Sequence, residues 1–349
     1  MLTRTQTVNP QAAFPPVSVA PMMERTDRHF RYLARIISPH TLLYTEMLTP
    51  RAIIHGDRDH LLGFHESEHP ISLQLGGDNP EEMAQAIKLA APYGYDELNL
   101  NIGCPSERVQ TGNFGACLMA TPIHVARLVD AMRGATTKEV TVKHRIGING
   151  RDSYDELCEF VETVAAAGCR RFSVHARIAI LGGLSPKENR SIPPLSYETV
   201  YRLKRDYPHL DIEINGGIRE VGDVLHHLQH VDAVMIGRAA YDHPYLLAEV
   251  EQAVFGNPHA PTRREVVERM LEYIDIWKQT PVSSHTLVRH MLGLFAFKPG
   301  TRRWKQHVSE LLPRAEDPSD AVRAALATVP AAVLDERLPI PELATAEGE

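Results

Sequence analysis

The chain has 349 residues, of which 43% are apolar and 23% charged, and its net charge at pH 7 is −7. This composition excludes a disordered, collagen-like or disulfide-scaffold protein, and no apolar run reaches the roughly 18 residues that a membrane span needs. A chain with this charge has no global basic field, so a polyanion would have to bind to a local basic patch.

Short apolar strands alternate with amphipathic helical segments over the first two thirds of the chain. Most of the strand segments are short runs rich in Val, Ile and Leu, as expected for strands buried on both faces. The predicted strands are 17–20, 42–45, 71–75, 97–102, 139–144, 171–175, 211–215 and 232–237. The predicted helices are 27–37, 80–93, 122–133, 153–167, 197–206, 221–229 and 243–254, with a weaker, His-rich segment at 51–64.

Eight strands, each followed by a helix, over about 240 residues predict an α/β fold of the (β/α)8 TIM-barrel type. A doubly wound sheet is the alternative, and a GxGxxG turn after the first strand would favour it. That strand instead continues into Pro21, Met22 and Met23, without a glycine. The sequence therefore predicts a TIM-barrel catalytic domain in residues 1–255.

Turn residues at 255–262 predict a domain boundary, and the strand patterns stop beyond it. Helical patterns at 263–279, 284–297, 302–312 and 318–327 predict a small all-α bundle in residues 262–330. The Ala-, Pro- and Glu-rich segment 331–349 predicts a frayed or disordered tail.

The four cysteines are Cys104, Cys117, Cys158 and Cys169, and no two of them form a CxxC pair. The sequence therefore predicts no zinc or thioredoxin-type site, and no other metal site. The first residues include no continuous apolar segment, so no signal peptide is predicted. Four thiols without an export signal predict a cytoplasmic protein, and no obligate protein partner is evident.

The active site of such a barrel lies at the carboxyl ends of its strands. Polar residues or glycines follow almost every predicted strand, which favours a ligand-binding barrel over a purely structural one. These residues are Glu46, Gln74, Asn99, Asn101, Lys143, His144, Arg145, His175, Arg177, Asn215, Gly216, Gly217, Gly237 and Arg238.

Glycines at the ends of the seventh and eighth strands, in 215–217 and at Gly237, predict a phosphate site, because barrels commonly bind phosphate there through backbone amides. Arg238 would add a charge-assisted contact. The alternative is that these glycines only turn the chain.

Lys143 and His175 end consecutive strands and are expected at the mouth of the barrel. A lysine beside the N1–C2 carbonyl of a flavin would stabilise the anionic reduced ring. The alternatives are a salt bridge from Lys143 to Glu46 or Glu213 and a purely structural role for His175.

Cys104 lies in a loop past the fourth strand, between Gly103 and Pro105, whereas the other cysteines are expected to serve packing. A thiol whose ordinary pKa is about 8.5 is mostly protonated at neutral pH and can act as a general acid. The alternative is a small buried apolar group.

Residues 281–309 include no Asp or Glu but contain five cations, together with Trp304 and His290. The cations are Arg289, Lys298, Arg302, Arg303 and Lys305. A second cluster, Arg177, Lys187 and Arg190, follows the sixth strand. A solvated face is the alternative, but clustered cations interleaved with aromatics favour contact with a nucleic acid backbone.

Seven motifs in register over residues 17–245 resemble those of the tRNA-dihydrouridine synthase family. They are 19–22 (VAPM), 73–77 (LQLGG), 99–105 (NLNIGCP), 142–143 (VK), 174–177 (VHAR), 214–218 (INGGI) and 236–239 (IGRA). Segments 184–190, 192–195 and 289–295 resemble the DusA subfamily more narrowly.

The resemblance implies an FMN-binding barrel and a helical domain that binds tRNA. The implied reaction is reduction of the C5–C6 double bond of uridine in the tRNA D-loop, at positions 20 and 20a, with NADPH as reductant and Cys104 as the proton donor. The implied FMN contacts are Pro21, Met22, Met23, Gln74, Lys143, His175, Asn215, Gly216, Gly217, Gly237 and Arg238. The implied tRNA contacts are Asn101, Arg177, Lys187, Arg190, Arg302 and Lys305.

Two other functions remain open at this point. One is an FMN barrel that acts on a free pyrimidine, similar to a dihydroorotate dehydrogenase, although a free base needs no basic helical surface. The other is a non-enzymatic RNA-binding module on an inactive barrel, which Cys104, Lys143 and the glycines of 215–217 disfavour.

Overall fold

The computed structural model describes residues 14–339. Eight parallel strands form one sheet in the order β1-β8-β7-β6-β5-β4-β3-β2. A bridge between Ser18 and Leu42, with the Val19 N–H donating to the Leu42 carbonyl at 2.9 Å, joins the first strand to the second and closes the sheet. The predicted (β/α)8 barrel is confirmed.

The strand bounds follow the apolar runs closely, and the third, fourth, sixth and seventh strands have the predicted bounds. The strands are β1 (Val17–Val19), β2 (Leu43–Tyr44), β3 (Ile71–Leu75), β4 (Glu97–Ile102), β5 (Glu139–Arg145), β6 (Arg171–His175), β7 (Asp211–Asn215) and β8 (Ala233–Ile236).

The helices that follow the strands up to β8 are α1 (Arg28–Ile37), α2 (Pro50–His55), α3 (Arg58–Leu62), α4 (Pro80–Ala90), α5 (Glu107–Thr111), α6 (Pro122–Gly134), α7 (Tyr154–Ala166), α8 (Tyr197–Asp206) and α9 (Val221–His227). Those that follow β8 are α10 (Arg238–Asp242), α11 (Leu246–Phe255), α12 (Arg263–Trp277), α13 (Ser284–Val288), α14 (Thr301–Leu311), α15 (Pro318–Leu326) and α16 (Ala331–Leu334). Short 3-10 helices cover Glu66–Glu68, Ala91–Tyr93, Gly115–Ala120, Glu188–Arg190, Arg289–Gly293 and Leu312–Arg314.

Side-chain caps explain where several helices begin. Asn79 accepts the N–H of Glu82 ahead of Pro80, the first residue of α4. Ser153 and Thr262 each take part in a capping box, at the start of α7 and α12. The segment 284–297, predicted as one helix, is divided because α13 gives way to a 3-10 turn at Arg289–Gly293. A Cβ at Gly293 would lie only 2.7 Å from the Asp242 carbonyl oxygen, so this backbone approaches α10 too closely for another residue.

The interior of the barrel is polar at the level of Glu97. Its carboxylate accepts hydrogen bonds from the hydroxyls of Tyr44 (2.9 Å), Ser72 (2.8 Å) and Thr141 (2.9 Å), and it pairs with the guanidinium of Arg171. These five side chains come from β2, β3, β4, β5 and β6, and all are buried. A buried ion pair is tolerated only when hydrogen bonds satisfy its remaining atoms, and the three hydroxyls do this for the carboxylate.

By internal contacts, the described residues fall into two compact units. One unit comprises 14–31 and 41–237, which include all eight strands. The other comprises 32–40 and 238–339, which include α10 to α16. The boundary predicted at 255–262 stays a prediction. No helix within residues 14–339 is both long and apolar enough to cross a membrane.

The start of the segment predicted to be frayed forms a helix, α16. Ion pairs follow it, since Asp335 lies 2.5 Å from Arg264 and Glu336 lies 2.7 Å from both Arg263 and Lys298. These ion pairs fix the segment after α16 to α12 and Lys298, and amino-acid composition alone could not reveal them. The rest of the predicted tail, 340–349, lies outside the described residues.

We expect Arg171→Met to lower the free energy of unfolding by about 3–5 kcal/mol, because it leaves the buried Glu97 carboxylate without its cation. Urea denaturation measures this loss. Arg323→Met is the matched control: it removes an exposed arginine that lies 3.6 Å from Asp320, and we expect it to cost less than about 1 kcal/mol. Equal losses in the two variants would contradict a structural role for the buried pair.

Candidate active site

The loop after β1 lies at the mouth of the barrel, which the carboxyl ends of the strands form. The Met22 carbonyl accepts the N–H groups of Arg25 (3.1 Å) and Thr26 (3.0 Å), which bends the chain into a turn. Pro21 and Met22 are half-buried, whereas Met23 is exposed. This turn therefore offers an apolar edge to the mouth.

A short turn after β4 holds Cys104. The side-chain oxygen of Asn101 accepts the N–H groups of Gly103 (3.1 Å) and Cys104 (3.0 Å). Cys104 is half-buried, and its Sγ donates to the Ser106 hydroxyl at 3.5 Å. Asn101, predicted to contact the substrate, thus fixes the backbone on which the thiol stands.

A chain of side-chain hydrogen bonds links this turn to the polar interior. The Asn101 amide donates to Gln74 Oε1, Gln74 donates to Asn99 Oδ1, and Asn99 donates to Thr141 Oγ1, each at 2.8 Å. Thr141 in turn donates to Glu97. One amide hydrogen of the buried Gln74 is left for a ligand, since a side-chain amide has two.

Lys143 forms no ion pair within residues 14–339, so neither Glu46 nor Glu213 is its partner there. Its Nζ donates to Asn215 Oδ1 at 3.2 Å, which leaves further donors for a ligand. Glu213 accepts instead from the hydroxyls of Ser18 and Ser173. Burial and the charge of Arg145 lower the pKa of Lys143 from 10.5 to about 8.

His175 is buried at the end of β6. Burial, followed by the charges of Arg145, Lys143, Arg177 and Arg190, lowers the pKa of His175 well below 6.5. The imidazole is therefore neutral at pH 7. Because the charges of Arg177 and Arg190 reach His175, these two predicted substrate contacts lie within electrostatic range of the site.

The glycines after β7 are required by packing. Gly216 has a φ of 116°, and a Cβ there would lie 2.8 Å from the His175 ring. A Cβ at Gly217 would lie 2.5 Å from the Tyr197 hydroxyl, which donates to the Gly216 carbonyl at 2.9 Å. A Cβ at Gly237, in contrast, would have no atom within 4 Å, so open space lies beside this backbone. Gly237 thus leaves room for a ligand, and Arg238, the next residue, is exposed.

Sequence reasoning missed the part played by Arg145, a buried residue at the end of β5. Its Nε donates to the Gly103 carbonyl at 3.0 Å, and its Nη1 donates to the carbonyls of Ile178 and Asn189, each at 3.0 Å. It therefore ties the Cys104 turn to the loop after β6. The strand period of two places Arg145 on the side of Lys143, and this signal could have drawn attention to it.

The loop after β6 carries the second predicted basic cluster. Lys187 and Arg190 are exposed on and beside the 3-10 turn Glu188–Arg190, and Arg177 donates to the Pro193 carbonyl. The buried Asn189 side chain accepts the Ile180 N–H at 2.7 Å. The hydrogen bond of Asn189 therefore fixes the backbone between Lys187 and Arg190.

In the other unit, Arg302, Arg303 and Lys305 are exposed on α14, and their side chains make no hydrogen bond or ion pair with any residue of 14–339. Lys298, in contrast, pairs with Glu336 at 2.7 Å. Three of the five predicted cations are thus exposed on one helix, without an acidic partner among residues 14–339.

The expectation that Trp304 and His290 interleave with these cations at the surface is wrong. Both residues are buried, and Trp304 Nε1 donates to the Met291 carbonyl at 3.3 Å. Trp304 shares the buried face of α14 with Val308, four residues along the helix. Adjacency in sequence to Arg303 and Lys305 therefore does not place the indole beside them at the surface.

No group of three or more His, Cys, Asp or Glu side chains in the described part of the chain could hold a metal ion.

Comparison with known proteins gives a consistent family. The family model described as dihydrouridine synthase matches residues 18–330. A tRNA-dihydrouridine(20/20a) synthase from Synechocystis is 56% identical over 296 residues, which cover 84% of this chain and 89% of that protein. The protein of the same name from Shewanella oneidensis is 55% identical, covering 84% and 88%, and that from Vibrio cholerae is 52% identical, covering 90% and 96%.

The pKa of Lys143 is about 8 in the folded protein and 10.5 ordinarily. Between these two pH values, we expect the free energy of unfolding of the ligand-free protein to rise with pH relative to that of the variant Lys143→Met. In this window the unfolded chain binds the proton and the folded chain does not, so raising the pH favours folding. The difference should change by at most about 3.4 kcal/mol, since one pKa unit corresponds to about 1.4 kcal/mol and the folded and ordinary pKa values differ by about 2.5 units. Urea denaturation at several pH values measures it.

Lys138→Met, at an exposed position, is the control for losing a surface amine. Parallel pH profiles of wild type and Lys143→Met would contradict the expected proton release from Lys143.

Proposed function

Since the chain belongs to the dihydrouridine synthase family, we propose that it reduces the C5–C6 double bond of uridine in the D-loop of tRNA, using FMN as cofactor and NADPH as reductant. The names of its relatives support positions 20 and 20a as the targets. The observation that carries the proposal is the Cys104 turn, held by Asn101 at a barrel mouth lined with Gln74 and Lys143. We propose a cytoplasmic location, where such a substrate is found.

The residues at the mouth fit FMN. Lys143 and Gln74 each keep a donor for the carbonyls and ring nitrogens of a flavin, neutral His175 can hydrogen-bond to it, and the turn at Pro21–Met23 offers an apolar edge. The open space beside Gly237 suits the phosphate. The loop after β1 has no dinucleotide fingerprint, so we propose FMN rather than FAD. When bound, the cofactor supplies the hydride that C6 of the uracil receives.

Cys104 completes the reduction by donating the thiol proton to C5, which balances the hydride added at C6. As residue types, an unperturbed carboxylic acid is ionised at neutral pH, whereas a thiol has an ordinary pKa of about 8.5, so a thiol suits the role of proton donor better. Two side chains hold the backbone just before the thiol. Asn101 accepts the N–H groups of Gly103 and Cys104, and Arg145 donates to the Gly103 carbonyl. Their role is to position the donor.

A basic surface in each of the two units supports tRNA as the substrate. Lys187 and Arg190 are exposed on the barrel loop after β6, and Arg302 and Lys305 are exposed on α14. Exposed cations suit the phosphates of a polynucleotide, and those of α14 have no acidic partner among residues 14–339. An enzyme acting on a free pyrimidine has no use for the α14 surface. The target base has to leave its stack to reach the barrel mouth.

We expect Cys104→Ala to slow the reoxidation of pre-reduced enzyme by tRNA by about 10²–10⁴-fold, the usual contribution of general acid catalysis. FMN content and the rate of flavin reduction by NADPH should be unchanged. Cys104→Ser should remain slow because a hydroxyl is a much weaker acid. Stopped-flow absorbance of the flavin measures both half-reactions.

Cys117→Ala is the control, since this half-buried thiol donates to the Phe114 carbonyl at 3.1 Å in the same loop region. Wild-type reoxidation by Cys104→Ala would show that the proton comes from another group.

We expect the double variant Arg302→Ala, Lys305→Ala to bind tRNA more weakly and with a shallower salt dependence. Each lost phosphate contact should reduce the slope of log K against log salt by about 0.9, the value for B-DNA. Binding titrations at several salt concentrations measure the slope. NADPH oxidation without tRNA and the behaviour of Arg323→Ala, an exposed cation beside Asp320, are the controls. An unchanged affinity would mean that α14 presents only a solvated face.

A further inference from the structure

Phe297 combines two features that are each unfavourable for folding. It is the most exposed large apolar side chain among residues 14–339, with 91% of its surface accessible. Its backbone is also left-handed, with a φ of 63°, a conformation that bulky residues rarely adopt. Asn and Gly adopt this conformation readily, and neither would expose a ring to water. Folding therefore gives no reason for a phenylalanine here.

The turn around Phe297 is firmly anchored on both sides. Phe295 is buried and its ring lies 5.1 Å from that of Trp304. The Thr301 hydroxyl donates to the Phe295 carbonyl and lies 2.6 Å from the Lys298 carbonyl oxygen. The exposure of the Phe297 ring thus follows from a defined turn.

The ring of Phe297 is not covered by a stacked neighbour within the described residues. Its aromatic contact is with His243, whose ring lies 5.4 Å away at an interplanar angle of 87°. Burial, followed by the charges of Arg263 and Lys298, lowers the pKa of His243 to about 4, so this imidazole is neutral at pH 7. The aromatic surface therefore remains available for a planar ligand.

Cations follow the ring along the chain; the first of them, Lys298, pairs with Glu336 at 2.7 Å. The stretch 281–309 contains no acidic residue, and Arg302, Arg303 and Lys305 are exposed without partners among residues 14–339. In the same unit, the other exposed large apolar side chain is Ile276, on α12. A single aromatic ring among cations is unlike a protein-docking surface, which presents a contiguous apolar patch.

We propose that Phe297 is a stacking platform for an unpaired base of tRNA, and that the cations at the start of α14 bind the phosphates next to that base. Aromatic rings flanked by cations are the usual means by which proteins bind single-stranded nucleotides, because every base presents a planar face. The left-handed turn directs the ring into solvent, where a splayed-out base can reach it. This inference rests on the proposed function, since it requires tRNA as the substrate.

Phe297→Asn and Phe297→Gly test the proposal, because both residues tolerate a left-handed backbone. We expect each to weaken tRNA binding about 5- to 160-fold, the usual range for loss of one stacked base. The midpoint of thermal unfolding should not fall. The salt slope should match that of the wild type, since no phosphate contact is lost, and Phe297→Trp should retain wild-type affinity.

Ile276→Asn is the matched control, because it removes an exposed apolar side chain from the same unit. Unchanged tRNA affinity in Phe297→Asn, with a wild type that binds and modifies tRNA, would overturn the stacking role and leave the proposed function standing. Loss of self-association in that variant, measured by sedimentation, with tRNA affinity unchanged would also overturn it and identify a protein interface. A wild type that neither binds nor modifies tRNA would overturn both proposals.

Discussion

The buried ion pair between Glu97 and Arg171 imposes a constraint on the whole interior of the barrel. A carboxylate out of water is costly unless its oxygens accept hydrogen bonds, and the hydroxyls of Tyr44, Ser72 and Thr141 donate to Glu97. Thr141 also accepts from Asn99, which begins the amide chain that ends at the Cys104 turn. The geometry of the reactive loop therefore depends on polar groups that lie well below it in the barrel.

This arrangement also sets the charge of the mouth. Lys143 and Arg145 bring positive charge to the end of β5, while burial keeps His175 neutral beside them. Glu213, which the sequence offered as a counter-ion for Lys143, accepts hydrogen bonds from the hydroxyls of Ser18 and Ser173 instead. Lys143 and Arg145 form no ion pair within residues 14–339 and donate to neutral oxygens instead, so the mouth can stabilise negative charge on a ligand.

Much of the architecture could be predicted from the sequence because it depends on local patterns. The bounds of β3, β4, β6 and β7 follow from apolar runs, and the strand ends then bring Asn101, Cys104 and Lys143 into one region. The link from Arg145 to Asn189 could not be predicted, since it depends on how two loops distant in sequence approach. The burial of Trp304 follows from the helical period that it shares with Val308, whereas the cations next to it in sequence suggest a surface position. The order of 331–339 depends on ion pairs with Arg263 and Arg264 that composition does not encode.

Barrel enzymes ordinarily diversify by changing one strand-end loop at a time, since each loop is attached to its own strand. The guanidinium of Arg145 removes that independence here, because it binds the carbonyls of two loops at once. An insertion in the loop after β6, or its replacement by a loop from another barrel, would displace the carbonyls of Ile178 and Asn189 and leave one nitrogen of a buried cation without its acceptors. The backbone at Gly103 would then have to move, and the neighbouring thiol with it. For the design of chimaeric enzymes, the two loops and Arg145 constitute one exchangeable module.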